Sequence, residues 1–144
     1  MGPDLSSQNK RNFTRPNLWD FRSWRKGNCS PHVNTKEEAE NVVAGGKFAP
    51  IGQRGMTTSR QGYGVPNFLE IANDRSLLVI LIEDIVAYKN LDSILEVDDI
   101  DVFFVAPGDF AQSMGYINDM QNKEVTSTID NALKKIIDSG KTAG

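Results

Sequence analysis

Two continuous apolar runs dominate the second half of the chain. Leu77-Leu78-Val79-Ile80-Leu81-Ile82 is stopped by Glu83-Asp84, and Val102-Phe103-Phe104-Val105-Ala106 is stopped by Pro107-Gly108-Asp109. Neither run alternates polar with apolar, which predicts strands buried on both faces, as in a parallel sheet. Between them, Ile85, Tyr88, Leu91, Ile94 and Leu95 fall at helical spacing, with Lys89, Asn90, Asp92 and Ser93 on the other side. Strand, helix and strand within about thirty residues make a βαβ unit with a right-handed crossover. Parallel α/β sheets carry their sites at the carboxyl ends of the strands. Glu83 and Asp109 fall there, on strands expected to be neighbours, and are the first candidate functional residues.

The flanking segments continue an α/β alternation. Asn34 or Thr35 can cap a helix whose first turn holds Glu37 and Glu38, whose apolar stripe is Ala39, Val42 and Val43, and which Gly45-Gly46 ends. Phe48 to Gly55 reads as a loop leading into a short strand. Met56 to Gly64 has no apolar period, and a loop this long inside a domain is more often functional than idle. It can cover a substrate, contact a neighbouring subunit or simply be solvated. Pro66 suits the first turn of a helix through Phe68, Leu69, Ile71 and Ala72. After Asp109, Phe110 to Gly115 forms a turn or helix start whose backbone amides make an anion site. Glu124 to Ser139 is an amphipathic helix with Val125, Ile129, Leu133, Ile136 and Ile137 inward, closed by Gly140. Lys141 to Gly144 falls where a next strand is expected to begin.

Composition adds constraints. A length of 144 residues suits one domain, and 24% charged with 39% hydrophobic residues is ordinary for a globular protein. A net charge of −3 makes no electrostatic case for nucleic acid. The charge is uneven: residues 1–26 carry six Lys and Arg against two Asp. With Phe13, Trp19, Phe21 and Trp24 out of any period, residues 1–32 are expected to be an irregular basic and aromatic arm, ahead of a domain at 33–144. A basic-aromatic patch for nucleic acid or a membrane surface is the sharper reading of that arm, and no recognised motif accompanies it. The single Cys29 excludes an internal disulfide and fits a reducing compartment. No signal-peptide core is present and no apolar run approaches the ~20 residues that span a bilayer, so a cytoplasmic protein without membrane contact is expected.

Four stretches carry a family resemblance. They are Val33-Asn34-Thr35-Lys36-Glu37-Glu38-Ala39, Pro50-Ile51-Gly52-Gln53-Arg54-Gly55, Ile80-Leu81-Ile82-Glu83, and Val102 to Gly115. The last is the most specific, an Ala-Pro-Gly-Asp-Phe segment followed by Ser113-Met114-Gly115. From about Val33 to Gly144 the chain resembles the HpcH/HpaI aldolase family, pyruvate-dependent class II aldolases of the phosphoenolpyruvate/pyruvate barrel superfamily.

The resemblance implies a (β/α)₈ barrel, of which this chain would hold a part, roughly strands 5 to 7 with their helices. It implies a metal-dependent carbon–carbon lyase that cleaves a 4-hydroxy-2-oxo acid to pyruvate and an aldehyde through a metal-stabilised enolate. Glu83 and Asp109 would hold the divalent metal, Mg²⁺ or Mn²⁺, with Co²⁺ as an alternative. Gly108 and Asp109 would bind the substrate carboxylate through backbone amides, and Arg54 would reach the substrate or form a surface ion pair. The partners implied are a pyruvate-like 2-oxo acid and an aldehyde.

Two departures stand out. The family carries a Gln two residues before its metal-binding Glu, where this chain has Leu81. The family's general-base His and enolate-stabilising Arg lie in first strands that residues 1–32 do not resemble, so the general base stays unassigned. His32, at the end of what would be the fourth strand, is expected to be structural, and Cys29 a thiol without a task. A partial barrel would expose strand edges and apolar faces, which predicts a homo-oligomer. The alternatives are a catalytically silent barrel fragment or interaction subunit and, ranked lower, a citrate-lyase-β or malyl-CoA-lyase type of enzyme.

Overall fold

The structure, a computed structural model, describes residues 27–56 and 62–144. The nine elements among them are β1 (Gly27–Ser30), α1 (Lys36–Gly46), α2 (Phe68–Arg75), β2 (Leu77–Ile82), α3 (Ile85–Lys89), α4 (Leu91–Ile94), β3 (Val102–Val105), α5 (Pro107–Ser113) and α6 (Lys123–Asp138). Both apolar runs are strands. The sheet is parallel in the order β1-β2-β3. Residues 142–144 extend it beyond β3: Phe103 N–H donates to the Thr142 carbonyl at 3.0 Å, and Val105 N–H to the Gly144 carbonyl at 2.9 Å. The expected strand start after Lys141 is therefore present.

β1 corrects the reading of residues 1–32 as irregular throughout. Gly27-Asn28-Cys29-Ser30 has little β propensity of its own, and it is a strand because its backbone pairs in register with Leu77 to Ile80. The remainder of that arm, residues 1–26, lies outside the described residues, as do positions 57–61 of the Met56–Gly64 loop.

Burial on both strand faces was expected, and one face is covered. Leu78, Ile80, Ile82, Phe103 and Val105 are buried in a core with Val42, Leu91, Ile94, Ala132 and Ile136. On the opposite face Leu77 is 45% and Phe104 43% exposed. Successive strand residues point to opposite sides, and helices α1 and α6 pack against the sheet over the first set.

The helices follow their caps. Thr35 and Glu38 form a reciprocal capping box at α1. Gly46 allows α1 to approach β2 closely, since a Cβ there would stand 2.5 Å from Leu78 Cδ2. Four details differ from expectation. The helix read across residues 85–95 breaks at Asn90, whose side-chain amide donates to the Asn34 carbonyl at 2.8 Å. Helix α2 starts after Asn67 rather than at Pro66. Ile137 is 62% exposed, because adjacent residues on a helix are about 100° apart and Ile136 already faces the core.

The fourth difference is at Phe48–Gly55, where no strand forms. The loop instead folds back on the end of α1: Gln53 N–H donates to the Ala44 carbonyl at 2.7 Å and Arg54 N–H to the Lys47 carbonyl at 3.0 Å. These bonds satisfy carbonyls that a helix end leaves open. Buried Lys47 joins the same corner to α2, its Nζ donating to the Asn73 and Ser76 carbonyls at 2.9 Å each. No described helix is long and apolar enough to cross a membrane.

Candidate functional site

The carboxyl ends of the three strands meet along one edge of the sheet. Ile82 pairs with Val105, and Ala106 N–H donates to the Ile82 carbonyl at 3.3 Å. Glu83 therefore leaves β2 beside Ala106. Asp109 follows in the first turn of α5. β1 ends at Ser30, level with Ile80, which brings His32 to the same edge two residues later.

Glu83 is the buried member, 4% exposed. A carboxylate taken out of water needs donors, and among the described residues the one hydrogen bond to it comes from His32. The His32 backbone N–H donates to Glu83 Oε1 at 2.7 Å, and the ring Nδ1 lies 3.1 Å from that same oxygen. His32 adopts φ 54°, a left-handed conformation that turns its amide toward the carboxylate. Its ring is 75% exposed. Leu81 offers no polar side-chain group, and the hydrogen bond that holds Glu83 comes from His32, in the turn after β1. This is the pairing the sequence reading missed. The one available signal was a polar residue, His32, just past a strand too short to recognise.

Asp109 and Gly108 are exposed at the start of α5. A Cβ on Gly108 would meet only Met120 Sδ at 3.8 Å, so the backbone there is open to approach. The first amides of a helix lack internal acceptors, and after Pro107 those are Gly108 and Asp109. Helices α3 and α5, which follow Glu83 and Ala106, are fixed to each other. Ile85 N–H donates to Ser113 Oγ at 2.9 Å, Ser113 Oγ donates to the Phe110 carbonyl at 2.7 Å, and Tyr88 meets fully buried Phe110 edge to face. Asp84 caps α3 by accepting from Val86 N–H at 2.7 Å.

Arg54 stands elsewhere. Its guanidinium lies 4.8 Å from the Phe48 ring centroid and contacts the Gly46 carbonyl at 3.5 Å, and burial lowers its pKa. Gly46 packs against Leu78, five residues before Glu83. At about 3.3 Å per strand residue the backbone of Leu78 is roughly 16 Å from that of Glu83. The structure thus brings His32, Glu83, Gly108 and Asp109 to one edge and places Arg54 at the other end of β2. Among the described residues, no group of three or more His, Cys, Asp and Glu is gathered closely enough to hold a metal by itself.

Cys29 neighbours Val79 on β2 and is exposed. Partial burial and then the charge of Glu83 raise its thiol pKa, which keeps the less reactive thiol form to higher pH. Glu83→Gln removes the second cause, so Cys29 should react faster with a disulfide reagent at pH 8 in that variant. An unchanged rate would show that the Glu83 charge does not reach it.

The sequence profile of the HpcH/HpaI aldolase/citrate lyase family matches residues 25–144. The chain is 40% identical over 119 residues to a 2-keto-3-deoxy-L-rhamnonate aldolase of Klebsiella pneumoniae, a match covering 79% of this chain and 44% of that protein. It is 37% identical over 118 residues to a 4-hydroxy-2-oxo-heptane-1,7-dioate aldolase of Salmonella heidelberg, covering 79% and 45%. An HpcH/HpaI aldolase/citrate lyase family structure from Burkholderia cenocepacia superposes with a TM-score of 0.76 at 23% identity, covering 83% of this chain and 49% of the other. The chain spans less than half the length of these relatives, and within that span it belongs to the HpcH/HpaI aldolase/citrate lyase family.

Proposed function

We propose that this chain forms the metal-gripping part of a (β/α)₈-barrel aldolase, one that cleaves a 4-hydroxy-2-oxo acid into pyruvate and an aldehyde. Sequential parallel strands with helices over one face, and a further strand start at 142–144, support the barrel reading. One observation carries the function: a buried carboxylate, Glu83, at the end of β2 beside the loop that delivers Asp109.

The donor set fits a hard divalent cation, Mg²⁺ or Mn²⁺. Such ions are bound through one or two carboxylates and keep several positions for water and substrate oxygens. Two carboxylates at one sheet edge supply that set, Glu83 oriented by His32 and Asp109 on the exposed turn. When bound, the cation supplies Lewis-acid polarisation of the 2-oxo acid carbonyl.

The protein's own groups then divide the work. Glu83 and Asp109 hold the cation. The open backbone at Gly108 and the amide of Asp109 receive the substrate carboxylate, where a helix start favours negative charge. Phe110, buried beneath the turn, keeps that backbone in place. Arg54, engaged at the end of α1, serves the substrate only if it leaves that position.

The test is pyruvate release from oxaloacetate, followed by coupled oxidation of NADH. Release is expected with Mn²⁺, lost in EDTA and restored by excess Mn²⁺. The absence of both pyruvate release and Mn²⁺ uptake would sink the aldolase reading and favour a catalytically silent member. The apolar surface at Leu77 and Phe104 supports association of this cytoplasmic protein into homo-oligomers. Sedimentation would show this, and a monomer would count against it.

A further inference from the structure

We infer that His32 is a positioning residue that clamps one oxygen of Glu83 and presents the other to the candidate cation site. The inference rests on the metal-dependent reading above. Both His32 contacts, the backbone N–H at 2.7 Å and ring Nδ1 at 3.1 Å, fall on Oε1. With Oε1 held, Oε2 is the oxygen through which Glu83 would meet a cation, as a one-oxygen ligand of fixed direction. Without the clamp, the Glu side chain would have rotamer freedom to lose on being held.

The backbone shows how the clamp is kept in place. His32 sits at φ 54°, a conformation that non-glycine residues adopt mainly where surrounding structure imposes it. That structure is visible on both sides. Ser30 is paired to Ile80 in the sheet, and Val33 is buried in the core. Asn34 then donates its N–H to Glu38 Oε2 at 2.7 Å and accepts from Asn90 Nδ2 at 2.8 Å. The turn from β1 into α1 is therefore anchored before and after His32, and the left-handed residue between aims its amide and its ring at one carboxylate oxygen. A histidine present only to fill space would not need both groups on that atom.

The experiment compares wild type with His32→Asn and His32→Gly, reading Mn²⁺ affinity by calorimetry. Both replacements tolerate positive φ, and thermal melting checks that both fold. Asn keeps a polar side chain close to the place of Nδ1, and Gly removes the side chain while leaving the backbone N–H. Loss of a group that orients a metal ligand costs 10–100-fold in affinity, so His32→Gly should bind Mn²⁺ at least about tenfold more weakly. His32→Asn should stay within about threefold of wild type. Wild-type affinity in His32→Gly, or equal weakening in both variants, overturns the inference. If Glu83→Gln nonetheless abolishes binding, the metal reading survives alone. If wild type binds no Mn²⁺, both fall together.

Discussion

Glu83→Ala is expected to lower Mn²⁺-dependent pyruvate release at least about a thousandfold. Lewis-acid stabilisation contributes several kcal/mol, and each 1.36 kcal/mol is a factor of ten in rate. Glu83 is the only buried carboxylate among the described residues, and it stands where the two strand ends meet. Because it is buried, Ala could also disturb the fold. Glu83→Gln separates the two effects: its amide oxygen can still accept from His32 N–H, but the charge is gone. Asp109→Asn tests the other proposed ligand at an exposed position where folding is not at stake. A Glu83→Gln enzyme with wild-type kcat, or one whose rate returns without added metal, would refute the proposed grip.

Gly52→Ala is expected to destabilise the fold by about 3 kcal/mol, at the upper end for forcing atoms into a packed site. A Cβ there would stand 2.3 Å from the Lys47 carbonyl oxygen, 2.8 Å from that of Val43 and 2.9 Å from that of Ala44. All three are backbone atoms at the end of α1, and none can swing aside as a side-chain tip would. In a domain of this size the melting temperature should fall by roughly 10 °C. Gly108→Ala is the control, since its Cβ would meet only Met120 Sδ at 3.8 Å, and its melting point should hardly change. If Gly52→Ala melts within two degrees or so of wild type, the loop is not packed on α1 as described.

These two positions show what could be read from residues alone. Where the determinants are local, the reading holds: the capping box of Thr35 and Glu38, the runs at Leu77 and Val102 as strands, and the stripe of α6 apart from Ile137 all sit within a few residues of what they specify. Distant partners are another matter. β1 is polar and four residues long, and it exists because β2 offers it a backbone to pair with, fifty positions away. The break at Asn90 needs the Asn34 carbonyl, and the seating of Glu83 needs His32, 51 residues earlier. Pro50 to Gly55 was visible as a distinctive motif, but its use as a plug for the end of α1 was not. Glu83 and Asp109 themselves came from strand ends and family likeness, while the group that holds Glu83 came only from the fold.

The alternation along β2 sorts its residues by parity. Leu78, Ile80 and Ile82 answer to the helices, and a change at any of them is a change in the core. Leu77, Val79 and Leu81 belong to the other face, and Glu83 is next in that odd count, buried just beyond the strand's last residue. Neighbours one bond apart thus answer to different demands. The even series secures the scaffold, while the odd series is open to change by whatever fills the exposed face, in one line with Glu83. A substitution can travel toward the chemistry along one side of a strand while the other side keeps the fold unchanged.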